Sequence, residues 1–126
     1  MKNVLIVDDD HKIRAMYSRY LDSEGYKILE ASNADDANEI LKRKRVDVML
    51  LDIKMPEIDG GVLYNISRMF HAKVKVIVTS VYPVDVQRHL IEGADGYYDK
   101  AQGIESLLSA IREVISDETS QEYINN

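Results

Sequence analysis

The chain has 126 residues, 45% of them hydrophobic, a formal net charge of −6 and no cysteine. That length suits one domain with a real core, and no apolar run approaches a membrane span. The acidic balance argues against a nucleic-acid surface covering the fold, and the missing cysteines exclude disulfides and thiolate metal sites.

Met1-Lys2-Asn3 leads into the four-residue apolar run Val4 to Val7 and then into Asp8-Asp9-Asp10. This start has neither the apolar stretch nor the cleavage site of a signal peptide, so the expected location is the cytoplasm. Asp10 is a good N-cap for a helix carrying Ile13, Met16, Tyr17, Tyr20 and Leu21 at helical spacing, which Gly25 ends. Tyr26 to Ala31 reads as a second strand. Ser32 and Asn33 are candidate caps for a second helix with Ala34, Ala37, Ile40 and Leu41 facing inward. Val46 to Asp52 is the third strand. The segment from Ile53 to Gly61, with Pro56, Asp59 and a glycine pair, reads as a loop. A third helix follows, with Val62, Leu63, Ile66, Met69 and Phe70 as its expected apolar face. A fourth strand from Val74 ends at Thr79, a fourth helix is expected near Val84 to Glu92, and Gly96 to Asp99 is a fifth strand. The last helix is expected from about Ile104 to Ile115. Strands alternating with helices predict βα units on a parallel sheet. Residues 1–116 are expected to form the domain, and 117–126 a polar, acidic tail that is mobile or begins a linker.

The chemistry collects at the strand ends. Ligands of an open parallel sheet sit beyond the carboxyl ends of its strands. There this chain carries Asp8, Asp9 and Asp10, then Asp52, Thr79 and Lys100. Acids, a hydroxyl and a lysine on one edge suit acceptance of a phosphoryl group on a carboxylate beside a divalent cation. Magnesium takes oxygen ligands, typically one or two carboxylates plus water and phosphate oxygens. Asp9 and Asp52 can supply the carboxylates, with Asp8 acting directly or through water.

In this pattern the chain resembles a response-regulator receiver domain of two-component signalling, from Met1 to about Ser116. The resemblance rests on Asp8-Asp9 after strand 1, Asp52 after strand 3, Thr79 after strand 4, Lys100 after strand 5 and Tyr97 three residues before that lysine. The stretch Leu50 to Gly60 is also close to the family's consensus. The resemblance implies a (βα)5 doubly wound sandwich, flavodoxin-like, with parallel strands in the order 2-1-3-4-5. It implies Asp52 as phosphoacceptor, Thr79 and Lys100 as helpers of the transfer, and Thr79 and Tyr97 as the switch pair. It implies Mg2+ or Mn2+ held by Asp8, Asp9, Asp52 and the backbone carbonyl of Lys54. The donor would be a histidine kinase or histidine phosphotransfer protein. The output would pass through the helix 4–strand 5–helix 5 face to a protein target, to an output domain beyond Asn126, or into a dimer. Direct nucleic-acid contact, membrane association and catalysis on other molecules are not expected.

Plainer readings compete for several residues. Asp10 serves as a helix cap. Lys42-Arg43-Lys44-Arg45 reads as the cationic close of the second helix, solvated and matched to its dipole. His11 is a first-turn surface residue available to a phosphodonor, since magnesium prefers oxygen, and His71 and His89 are surface residues. Tyr17, Tyr20, Tyr26 and Tyr64 read as half-buried packing with hydroxyls in water.

Two positions depart from the family pattern. Ala101 replaces the usual proline after the lysine, and a cis bond without proline costs about 2.5–4 kcal/mol. The positions two after Asp52 and two after Thr79 are Lys54 and Val81, neither offering a carboxylate or amide to orient water. Slow self-dephosphorylation is therefore expected. The alternative function is a receiver-like interaction module read without phosphorylation. A phosphohydrolase of the haloacid-dehalogenase type would want an acid where Lys54 stands, and a flavodoxin-like cofactor binder would want a phosphate loop where the three aspartates stand.

Overall fold

The computed structural model describes residues 2–54 and 60–125, of which 117–125 are described through the backbone alone. Five strands, β1 (Asn3–Val7), β2 (Lys27–Ala31), β3 (Val48–Asp52), β4 (Lys75–Ser80) and β5 (Gly96–Asp99), alternate with five helices. These are α1 (His11–Ser23), α2 (Ala34–Arg43), α3 (Gly60–Phe70), α4 (Val84–Leu90) and α5 (Ile104–Asn125). The strands pair in parallel in the order 2-1-3-4-5, as expected.

Alternation along the central strands builds two cores. Val4, Ile6, Val48, Leu50 and Ile77 face α1 and α5, where they meet Tyr17, Leu21, Leu107 and Ile111. Leu5, Val7, Met49, Leu51, Val76 and Val78 face the other way, against Ala34, Ala37 and Leu41 of α2 and Leu63 of α3. Strands covered on both faces have no polar alternation, which is why their sequences are unbroken apolar runs. The helix starts follow local chemistry. Asp10 accepts from the amides of Lys12 and Ile13 at 2.9 and 3.4 Å, and Asn33 accepts from the Asp36 amide at 2.8 Å. Gly25, at φ +91°, turns the chain out of α1 in the left-handed region.

Four expectations change. The buried face of α3 is Gly60, Leu63, Tyr64 and Ser67, whereas Met69 and Phe70 are 74% and 71% exposed. The cause is Gly60: a Cβ there would stand 2.5 Å from the Asp52 carbonyl oxygen, so the bare glycine face is the one that reaches β3. Second, α4 ends at Leu90, because Ile91 is extended (φ −133°) and Gly93 turns at φ +82°. Third, α5 continues to Asn125 through the segment expected to be a polar tail. Residues 116–125 contain neither glycine nor proline, so nothing stops propagation of a helix already nucleated on the core. Fourth, Tyr17 and Tyr64 are buried. Tyr17 is 1% exposed and meets Tyr98 edge to face at 6.4 Å, and Tyr64 accepts from Arg68 Nε at 3.0 Å. Burial raises the Tyr17 hydroxyl above the ordinary tyrosine range. The turn expected around Pro56 and Asp59 lies outside the described residues. Among the described residues no helix is long and apolar enough to cross a membrane.

Candidate functional site

The carboxyl ends of β1, β3 and β4 deliver the site. Asp8 follows β1, Asp52 ends β3, and Thr79 lies on β4 in register with Asp52. Asp8, Asp52 and Thr79 are 1%, 5% and 1% exposed, whereas Asp9 reaches solvent. One carboxylate oxygen from each of Asp8, Asp9 and Asp52 lies within 4.8 Å of the others. An all-oxygen donor set of this kind, partly buried with one exposed member, fits a hard divalent cation that keeps some of its water.

Lys100 closes the cluster. Its ammonium donates to Asp8 Oδ2 at 2.8 Å and lies 3.5 Å from Asp52 Oδ2. It arrives there with the Lys100–Ala101 peptide trans, since no cis bond occurs among the described residues. The loop instead turns through the Ala101 amide, which donates to Asp99 Oδ1 at 2.8 Å, while the Lys100 amide donates to the Ser80 carbonyl at 2.7 Å. Replacing the family's proline therefore leaves the lysine in place by another backbone course.

Burial and crowding make Asp52 reluctant to ionise. Burial raises its carboxyl most; Lys100 pulls it down, Asp8 pushes it up, the Lys54 amide (3.2 Å) pulls it down and Asp9 adds a push, leaving it at about 6 against an ordinary 3.8. Lys100 has the opposite balance. Burial lowers its ammonium, but the Asp8 hydrogen bond and the charges of both acids outweigh it and raise the group above its usual value. The lysine therefore stays charged between the two acids.

Around this centre lie residues whose part was not foreseen. The Arg14 guanidinium donates to the Asp8 carbonyl at 2.7 Å and pairs with Glu30 at 3.3 Å, holding the β1–α1 turn to β2. Asp8 Oδ1 accepts from the Asp10 amide at 2.9 Å. Gly60 packs on the backbone of Asp52 and Ile53. Gln87, fully buried on α4, binds two backbone carbonyls. Arg14 stands one turn past the acids, a spacing that could have signalled its role. Nothing local marks Gln87, whose neighbours in sequence are exposed.

Tyr97 is not part of the acid cluster here. Its hydroxyl donates to the Ile91 carbonyl at 2.5 Å and accepts from the Ala94 amide at 3.2 Å, and Arg88 stacks on its ring at 4.8 Å. The Lys54 Nζ lies 4.6 Å above the Tyr82 ring. Val81 is 67% exposed. His11 and His89 are exposed and His71 is half-buried. Lys42 and Arg43, in the last turn of α2, pair with Glu39 at 3.5 and 3.3 Å, whereas Arg45 lies beyond the helix and pairs with Asp47 at 3.4 Å.

The family model of the response regulator receiver domain matches residues 4–112. Sporulation initiation phosphotransferase F of Bacillus subtilis is 28% identical over 116 residues, covering 90% of this chain and 94% of that protein. Response regulator UvrY of Escherichia coli is 37% identical across 98% of this chain but only 57% of its own length, and response regulator GacA of Pseudomonas aeruginosa is 33% identical across 99% and 59%. The chain thus spans about three fifths of those two relatives and nearly all of the first. Among solved structures, a CheY-like receiver domain protein from Methanospirillum hungatei superposes with a TM-score of 0.87 at 27% identity, covering 96% of this chain and 98% of that one. Response regulator TrrA from Thermotoga maritima, in complex with Mg2+ and BeF, gives 0.80 at 29%, covering 90% and 99%.

Proposed function

Because the chain belongs to the response regulator receiver domain family, we propose that it is a phosphorylation switch whose acceptor is Asp52. The observation that carries this is the Lys100 ammonium set between Asp8 and Asp52 inside a three-carboxylate cluster. The donor is a phosphohistidine on a histidine kinase or phosphotransfer protein. An Asp52 carboxylate oxygen bonds to phosphorus as the P–N bond breaks, and the electron pair leaves on the imidazole, which takes up a proton. Lys100 meets the charge gathering on the phosphoryl oxygens, and the Thr79 hydroxyl donates to one of them once the group has arrived. Asp8, Asp9, Asp52 and the Lys54 carbonyl would hold Mg2+ or Mn2+, which when bound supplies charge neutralisation at the phosphoryl group.

Thr79 and Tyr97 form the switch pair. Drawing Thr79 toward the phosphoryl group pulls the β4–α4 loop inward and releases the Tyr97 hydroxyl from the α4–β5 loop, which repacks the α4–β5–α5 face. That face carries the output to a protein partner, to a second copy or to a further domain. The domain's core lies within residues 1–116, with α5 running on to Asn125, and its place of work is the cytoplasm. Self-dephosphorylation is slow, because Lys54 and Val81 offer no group to aim water and Lys54 is held over Tyr82.

Intact-protein mass spectrometry after incubation with acetyl phosphate and Mg2+ tests the proposal. The expected result is a single phosphoryl adduct, lost in Asp52→Asn and in EDTA. No adduct on folded protein would overturn it and favour an interaction module read without phosphorylation.

A further inference from the structure

Of the seven residues of α4, only Gln87 is buried, and it is polar. Val86 and Leu90 are 42% and 54% exposed, and Pro83 gives the helix no side-chain cap. A helix normally holds to its sheet by an apolar stripe, which tolerates sliding. Here the buried contact is a pair of directed hydrogen bonds. Gln87 Nε2 donates to the Tyr82 carbonyl at 2.8 Å and to the Tyr98 carbonyl at 2.9 Å. Because both partners are acceptors, both amide hydrogens are used and the orientation of the carboxamide is set. Its Oε1 is buried without a partner among the described residues.

The two carbonyls belong to the segments that carry the transfer chemistry. Tyr82 lies in the loop three residues beyond Thr79, and its amide donates to Ser80 Oγ at 3.1 Å. Tyr98 is in register with Thr79 and lies two residues before Lys100. One side chain thus ties α4 to the Thr79 loop and to the Lys100 strand together. Hydrogen bonds weaken steeply when stretched or bent, so a displacement that an apolar contact would absorb breaks one of these two.

We propose that Gln87 is the positioning residue that couples the state of Asp52 to the attitude of α4, by holding the Tyr82 and Tyr98 carbonyls in the unphosphorylated packing. The proposal rests on the reading of Asp52 as acceptor. When Thr79 and its loop move toward a group on Asp52, the Tyr82 carbonyl moves with them and the Tyr98 carbonyl, on the sheet, does not. Gln87 cannot follow both, so one bond breaks and α4 is freed to repack.

The test is NMR hydrogen exchange on nitrogen-labelled protein, with and without Mg2+ and beryllofluoride as phosphoryl mimic; fluorine NMR reports the adduct. The Gln87 carboxamide protons should be protected in the free protein. In the adduct, they, the α4 amides of Val86 and Gln87 and the capping amide of Ile91 should exchange roughly tenfold faster. Gln87→Met keeps the length and removes the donors, so its α4 amides should exchange at the faster rate already and change less than about twofold on adduct formation. Should that variant fail to fold, the wild-type carboxamide signal decides alone. An adduct that forms while the Gln87 protons and α4 exchange stay unchanged overturns the proposal. No fluorine signal from an adduct is a different result: Asp52 is then not the acceptor, and the coupling falls with it.

Discussion

At the scale of single residues, Asp52 is a carboxylate that burial makes costly to ionise. Its carboxyl is raised from 3.8 to about 6, so between those values the folded protein holds a proton that the unfolded chain releases. Stability therefore falls as pH rises through that interval. In metal-free buffer, Asp52→Asn should raise thermal stability at pH 7 by up to about 3 kcal/mol, with the gain shrinking toward zero near pH 4. Calorimetry in EDTA at both pH values measures this, and a gain that is equal at both would refute it. On the proposed mechanism, Lys54→Asn places an amide beside the path of the attacking water and removes the cation from the Tyr82 ring, so the phosphoryl lifetime should drop by up to roughly tenfold, or about 1.4 kcal/mol of barrier. The decay of the mass adduct reads it. A lifetime of only seconds in the unsubstituted protein would remove the basis for the comparison.

Replacing a helical glycine with alanine ordinarily stabilises by about 0.5–1 kcal/mol. At Gly60 the sign should reverse, since the added Cβ would press on the Asp52 carbonyl and the Ile53 Cα, neither of which can rotate away. Gly60→Ala should cost about 1–3 kcal/mol by urea unfolding and slow phosphorylation by shifting the end of β3. The opposite end of α3 should behave differently. Met69→Ser and Phe70→Ser, on the exposed side of the helix, should each change stability by no more than about 0.5 kcal/mol. A loss of several kcal/mol at Phe70 would mean that the helix is rotated from the packing described.

For the whole molecule, the consequence of a three-carboxylate cluster is linkage to divalent cations. A cation that binds only the folded state stabilises it by about 2.7 kcal/mol at a hundred times its Kd, a rise of several degrees in Tm for a domain of this size. Mg2+ should produce that rise, EDTA should reverse it, and Asp9→Asn should abolish most of it while preserving the fold, because Asp9 is the exposed member of the cluster. An unchanged Tm across a titration of Mg2+ into the folded protein would count against a resident cation at these acids.

Much of this was legible in the sequence. Unbroken apolar runs fix buried parallel strands, because a strand covered on both faces has no polar position to show. Acids, threonine and lysine directly after those runs must then gather at one sheet edge, and Asp8, Asp9, Asp52, Thr79 and Lys100 do so. Caps such as Asp10 and Asn33 are local chemistry and are equally readable. What the tertiary structure alone decided are contacts between segments distant in the chain. The face of α3 is set by how closely Gly60 approaches β3, a fact absent from the spacing of its apolar residues. The course after Lys100 depends on bonds to Ser80 and Asp99 that no local pattern announces. Gln87 reads as one more polar residue on a short helix, and only the meeting of two carbonyls around it makes it the buried anchor of α4.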